Sequence, residues 1–430
     1  MSSHDSIRYR QSKRVASLIL LLAIGLCGIG LLPLNRSTPT VHAQSSMVQP
    51  ASGATHRAGY AGDEACAPCH KQESPTYRHT SHHLTSQEPD SASILGSFGA
   101  RNNTLSIADP QDNDRDPRLY FEMDAKDGSY YQTAIAAQAG KRLTHEERID
   151  LVIGSGVRGQ TYLFWHGNEL NELPVSWWKE GNQWINSPGY QDGTANFERH
   201  VDPRCLECHS TFIQPLSTDP QTNIYKQGSL VLGISCETCH GPGSNHIAVE
   251  QAQISKSRKP SDAGILNPAK FPRDRQVDQC ALCHNGTERA EIAPAFTYQP
   301  GQPLDKYLGA NLADIGDRPD VHGNQVGLLK KSRCYLSSST MSCSTCHDVH
   351  APERAAATYS DRCLSCHQWQ SCGASHKLGE KIKRNCVDCH MPLMQTSAIV
   401  SVTAGRILHT SIRTQWIKVY PEVAAQVDLR

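Results

Sequence analysis

Seven copies of one pentapeptide, C-x-x-C-H, punctuate this chain of 430 residues and constrain its fold more than any hydrophobic pattern does. They run from Cys66 to His70, Cys205 to His209, Cys236 to His240, Cys280 to His284, Cys343 to His347, Cys363 to His367 and Cys386 to His390. Two thiols at this spacing reach the two vinyl groups of one porphyrin and form thioethers, and the histidine that follows is held beneath the iron. Attachment therefore falls to Cys66, Cys69, Cys205, Cys208, Cys236, Cys239, Cys280, Cys283, Cys343, Cys346, Cys363, Cys366, Cys386 and Cys389. The proximal ligands are His70, His209, His240, His284, His347, His367 and His390. Zinc ribbons use such pairs two at a time and need no histidine directly after the second cysteine. A thioredoxin-like motif is expected once per fold, not seven times. Seven covalent haem c groups are the expectation.

The composition fits a chain built around such groups. Only 38% of residues are hydrophobic and 6% aromatic, too few for an ordinary core of this size. A porphyrin is a large flat hydrophobe and supplies the missing apolar mass. At the amino terminus Arg8, Arg10, Lys13 and Arg14 precede an unbroken apolar run from Val15 to Leu32, and Val41-His42-Ala43 offers a cleavage site. This pattern reads as an export signal over residues 1–43, cleaved after Ala43, with a periplasmic destination; its length also suits an uncleaved membrane anchor. Beyond Ala43 the chain carries 37 Lys and Arg against 41 Asp and Glu, a net of −4. That balance argues against a nucleic-acid partner and for a small or basic redox partner protein; a membrane quinol oxidoreductase is a separate candidate partner.

Motif spacing divides the chain. Residues 44–60 read as a linker, 61–90 as a first haem segment, 91–199 as an inserted β-rich module, 200–400 as a six-haem domain and 401–430 as a tail packing on it. The expected class is α+β, with irregular chain and short helices wrapped around stacked haems. Within the insert, strand-like runs at Leu119–Met123, Tyr130–Ala137, Ile149–Ile153 and Gln160–Trp165 are separated or followed by turn residues such as Asp127-Gly128. Gly154-Ser155-Gly156-Val157-Arg158-Gly159 spells G-x-G-x-x-G, but aromatic alternation follows it where a dinucleotide site needs a helix, so a glycine-rich turn is expected.

Fourteen further histidines could close the distal side of the irons, and three of them fall in the leader or linker. The preferred distal ligands are His82, His83, His246, His322, His350, His376 and His409. His246 follows a Gly-Pro-Gly turn. His350 stands three residues past a proximal histidine, where a helix would aim it at a neighbouring haem. His145, His166 and His200 read as surface or hydrogen-bonding histidines rather than ligands. Met391 and Met394 are weaker axial candidates. Cys334 and Cys372 remain, and a disulfide between them is the first reading in an oxidising compartment, with a free thiolate as the alternative.

The segments YAGDEACAPCH followed by SHH, CHGPGSNH, CSTCHDVH and NCVDCHMP make the chain resemble the multihaem cytochrome c superfamily. That superfamily includes the tetrahaem cytochrome of nitrifying bacteria, hydroxylamine oxidoreductase and octahaem nitrite and tetrathionate reductases. The resemblance covers roughly residues 60–90 and 200–395 and leaves out 91–199. It implies bis-histidine haems stacked in parallel and perpendicular pairs that conduct electrons along the protein. The C-x-x-C-K motif of pentahaem nitrite reductases is absent. An electron carrier is the favoured expectation. The alternative is an oxidoreductase of a small nitrogen or sulfur oxyanion with one five-coordinate catalytic haem.

Overall fold

A computed structural model describes residues 57–107, 119–138, 141–255, 262–286, 289–311, 316–319, 324–353 and 355–427. The leader, its apolar run and His322 lie outside the described residues. Among the described residues no helix is long and apolar enough to cross a membrane.

Helices and several antiparallel sheets share the fold, which is α+β. Between the first and second haem motifs the chain builds two sheets. The strands are β1 (Ser86–Gln87), β2 (Thr104–Ile107), β3 (Leu119–Lys126), β4 (Ser129–Gln138), β5 (Lys141–Arg148), β6 (Leu151–Ile153), β7 (Gly159–His166), β8 (Glu169–Glu172), β9 (Val175–Trp178), β10 (Gln183–Asn186) and β11 (Arg199–His200). β2 to β5 form a meander in sequence order. Its central hairpin pairs Lys126 with Ser129, so Asp127 and Gly128 alone make the turn. Both have positive φ, 51° and 77°, the mirror-image turn that matches strand twist. The second sheet runs β1-β6-β7-β8-β11, with β9 pairing β7 and β10.

Strand alternation explains how the insert is anchored. Along β7, Tyr162 and Phe164 point into a core with Phe121, Met123, Val152, Leu173, Trp177 and Trp184, between the two sheets. Leu163 points the other way, into a second core with Leu151, Leu170, Val201, Ile213, Tyr225, Phe296 and Leu206 of the motif Cys205–His209. The insert is thus welded to a haem-attachment segment through one shared face. The G-x-G-x-x-G stretch joins β6 to β7 as an antiparallel turn, with Gly154 at φ 102° and Gly156 at φ 77°. No helix opens there.

The motif-rich half has little independent structure. Its longest helices are Ser244–Ile254 and Arg273–His284. Two-stranded ladders pair β12 (Ser210–Phe212) with β13 (Val231–Leu232) and β14 (Arg289–Glu291) with β15 (Leu308–Asn311). The C-terminal stretch holds a long hairpin, β16 (Leu393–Thr403) with β17 (Arg406–Arg413). It reaches back to the insert, where Asn186 N donates to Thr403 Oγ1 at 2.9 Å and Ser401 Oγ donates to Asn186 O at 2.8 Å. The segment after it lies on the last motif, with Thr414 N donating to Pro392 O and Lys418 N to His390 O.

Candidate haem-binding sites

Each pentapeptide sits on a single turn of helix or just after one, which is what the chemistry requires. Cys236–His240 and Cys386–His390 are whole short helices, and Cys280–His284 closes the helix Arg273–His284. In the other motifs the turn is made by single bonds: His70 N to Cys66 O at 3.1 Å, His209 N to Leu206 O at 2.9 Å, His347 N to Cys343 O at 3.0 Å and His367 N to Cys363 O at 2.9 Å. A histidine four residues after the first cysteine then shares a face with it. The local caps are written in the sequence. Asp202 Oδ1 accepts from Cys205 N at 2.9 Å, and Ser342 and Thr345 cap each other around Cys343.

Four imidazoles are oriented in the way an iron ligand needs. Nδ1 of His240, His246 and His390 lies 2.9 Å from the carbonyl oxygens of Leu266, Ala263 and Lys418, and Nδ1 of His409 lies 3.0 Å from Thr396 O. A carbonyl only accepts, so Nδ1 carries the proton and Nε2 presents its lone pair. His209 Nδ1 meets Thr85 Oγ1 at 2.9 Å.

Three histidine pairs stand at a telling distance. Ring centroids are 6.5 Å apart for His70 and His246, 6.2 Å for His240 and His350, and 6.1 Å for His82 and His284. Two imidazoles bound to opposite sides of one metal, each about 2 Å from it, have centroids roughly 6 to 6.5 Å apart. Each pair joins a motif histidine to one outside any motif. Burial, with His82 and His347 close by, pulls His284 down to about 4, so it is neutral at ordinary pH, the form that binds metal.

The remaining candidates are placed less tightly. His83 points away from His82; its Nδ1 lies 3.6 Å from Asp63 and its ring is edge-on to Tyr77. His376 sits exposed on the short helix Ser375–Leu378. His145, His166 and His200 are exposed on the insert, and His145 stacks on Phe197 at 4.3 Å. The disulfide expected between Cys334 and Cys372 is not formed. Cys334 lies on the short helix Arg333–Ser337, and Cys372 directly follows the helical turn Trp369–Ser371.

The motifs form one connected series. Cys236 N donates to Asp63 Oδ1 at 2.9 Å, Arg204 of the helix carrying Cys205 donates to Leu282 O, and Ser342 Oγ, beside Cys343, donates to Gln276 Oε1 of the helix carrying Cys280 at 2.8 Å. Gln279 Nε2 donates to Cys239 O at 3.2 Å, tying the third motif to the fourth. The His347 ring lies 5.2 Å from that of Tyr359, on the helix leading to Cys363. Cys386 N donates to Ser360 Oγ of that same helix at 2.9 Å. In chain order, motif one touches three, three touches four, two touches four, and four leads through five and six to seven.

Two residues that sequence reasoning passed over stand out: Glu207 and Glu237, the spacer positions of C-L-E-C-H and C-E-T-C-H. Both are buried, at 7% and 2% exposure. Their only signal in the sequence is an acidic residue inside a motif whose spacers carry no ligand role.

Residues 161–241 match a family model described as cytochrome c554 and c-prime. The match begins inside the insert and runs through His209 and His240, so likeness extends into a region that the haem-motif resemblance leaves out. The multihaem cytochrome MtrA of Shewanella baltica is 25% identical over 191 residues, 40% of this chain and 54% of its own length. The polyhaem cytochrome OmcC of Geobacter sulfurreducens is 24% identical over 182 residues, 36% of this chain and 21% of its own length. The chain thus spans about half or less of these relatives. In fold it is similar to the outer cell wall cytochrome OcwA, with a TM-score of 0.52 at 16% identity, covering 86% of this chain and 81% of that one.

Proposed function

From the premise that this chain is a multihaem c-type cytochrome, we propose that it transfers electrons through seven covalently bound haems, mostly bis-histidine ligated, after export to the periplasm. The observation that carries this reading is the unbroken series of contacts among the segments bearing the seven motifs, since no attachment point stands alone. Haem iron supplies one-electron chemistry when bound. The chain's own part is to hold the irons and keep them close. His70, His240 and His284 are the proximal ligands whose distal partners are His246, His350 and His82. The carbonyls of Leu266 and Ala263 fix the tautomer and rotation of His240 and His246. The leader to Ala43 carries the export signal, and redox partner proteins dock on the exported chain.

Intact mass and haem absorbance of the purified protein test the number, and seven haems per chain are expected. Electron paramagnetic resonance tests the ligation. Low-spin signals unmoved by nitrite, hydroxylamine or sulfite are the expected result. A high-spin signal that shifts with one of these ligands would overturn the pure carrier in favour of an oxidoreductase. In His246→Ala, about one-seventh of the haem becomes high-spin; an unchanged spectrum would remove His246 from the ligand set.

A further inference from the structure

The two buried spacer glutamates sit at two different junctions between motifs, and the charges around them differ in sign. Glu237 lies where the first and third motifs meet. Its carboxylate accepts from Ala61 N, Gly62 N and Gly243 N, each at 2.8 Å. Beside it Asp63 Oδ1 accepts from Cys236 N at 2.9 Å. Asp63 Oδ2 faces His83 Nδ1 at 3.6 Å, whereas Glu237 has no ion-pair partner among the described residues; Arg57 lies over the Tyr60 ring at 4.8 Å. Two carboxylates, Glu237 and Asp63, thus hold the backbone at this junction.

At the junction of the second and fourth motifs the arrangement inverts. Glu207 is ion-paired with Arg204, itself only 8% exposed. The other Arg204 amino group donates to Leu282 O, inside the fourth motif, and Glu207 Oε1 accepts from Phe296 N at 2.6 Å. The guanidinium thus lies between the two attachment segments, reaching the backbone of the fourth motif, while the Glu207 carboxylate is turned to Arg204 and to Phe296 N. Asp202 Oδ1 accepts from Cys205 N at 2.9 Å, at the outer end of the second motif. Taking a guanidinium and a carboxylate out of water is costly, and an apolar pair of similar volume would pack as well. A permanently charged group between two attachment sites has a consequence that an apolar pair lacks. A cation held in low dielectric favours the form of a nearby iron that carries one more electron, and an anion favours the form that carries one fewer.

We propose that Arg204 and Glu237 bias the two junctions in opposite senses, so that the haems on the second and fourth motifs sit at higher reduction potential than those on the first and third. This rests on the electron-transfer reading and deepens it. Arg204 and Glu237 are positioning residues, since neither ligates iron.

The experiment is protein-film voltammetry of the full holoprotein, with potential-poised paramagnetic resonance, for wild type, Glu237→Gln, Arg204→Gln and Arg204→Lys. Glu237→Gln is expected to raise the lowest-potential component and Arg204→Gln to lower a higher one. Arg204→Lys keeps the charge while losing the fork of hydrogen bonds, so it should restore the potential that Arg204→Gln lowers. Equal shifts in the Lys and Gln variants would mean a purely structural role and overturn the proposal, as would a downward shift in Glu237→Gln. If Arg204→Gln does not accumulate, Glu237→Gln and Asp63→Asn decide alone, both expected upward. Seven electroactive haems with potentials indifferent to all these changes would refute this inference only, whereas a wild-type film without redox response would refute electron transfer itself.

Discussion

Glu172 makes the sharpest stability prediction. It closes β8, pairs in register with Arg199 of β11, and its side chain is 15% exposed. Arg199 Nη1 lies 3.2 Å away, while the Tyr190 hydroxyl donates to the Glu172 carbonyl at 2.5 Å. Burial pushes the carboxyl from 4.5 up to about 7, and Arg199 only partly offsets it. The folded chain therefore holds this proton more tightly than the unfolded one. The stabilisation is whole below pH 4.5 and is lost progressively as pH rises to about 7, after which it changes no further. At about 1.4 kcal/mol per tenfold change in proton affinity, the loss comes to about 3 kcal/mol. Glu172→Gln mimics the protonated form, so its stability relative to wild type should grow by about 2 to 3 kcal/mol between pH 5 and pH 8. Urea unfolding of the holoprotein at several pH values, followed through the fluorescence of Trp177 and Trp184 in the adjoining core, measures the difference. A gap that is flat with pH, or that narrows towards pH 8, would refute the reasoning.

Two further outcomes follow from the packing. Phe121 is wholly buried between the insert's two sheets, so Phe121→Ala should cost about 3 to 5 kcal/mol there; protease cleavage within 91–199 should accelerate while the haem spectrum stays that of wild type, and a changed haem spectrum would show that the two regions unfold as one. Gly233 sits at φ 63°, and a Cβ added there would lie 2.1 Å from the His83 carbonyl oxygen. Gly233→Ala should therefore displace the segment carrying His82 and His83 and sharply cut the yield of holoprotein, whereas normal yield and haem content would show that the backbone yields at no cost.

The sequence made the local chemistry legible and left the long-range pairing hidden. Single helical turns at each pentapeptide and the two-residue turn at Asp127-Gly128 follow from spacing and glycine alone. The facing of His70 by His246, or of His240 by His350, depends on how distant segments pack, and no local pattern encodes it. The hairpin β16–β17 escaped notice for a different reason. Among its described side chains Thr396, Ser401, Thr403 and Thr410 are buried while Leu393, Val402 and Ile407 are exposed, so its hydrophobic alternation is reversed and does not announce a core-facing strand. Glu207 and Glu237 were overlooked because an acidic residue is ordinarily a surface residue. Here backbone N–H groups, and for Glu207 an arginine as well, meet their lone pairs.

The clamp between Ala61 and Glu237 spans 176 positions of sequence, and that distance sets a timetable. A ribosome delivers the chain from its amino end, so the first attachment site emerges with none of its tertiary neighbours yet made. Glu237 and His246 arrive only after the entire insert has been synthesised. The insert closes its own core from contiguous strands and so can form in the interval. By the time residue 246 appears, a finished β-structure already brings residue 87 close to residue 152, shortening the loop that must still be closed. A deletion that shortened the insert without touching any cysteine would therefore be felt first as a delay in maturation at Cys66 and Cys69.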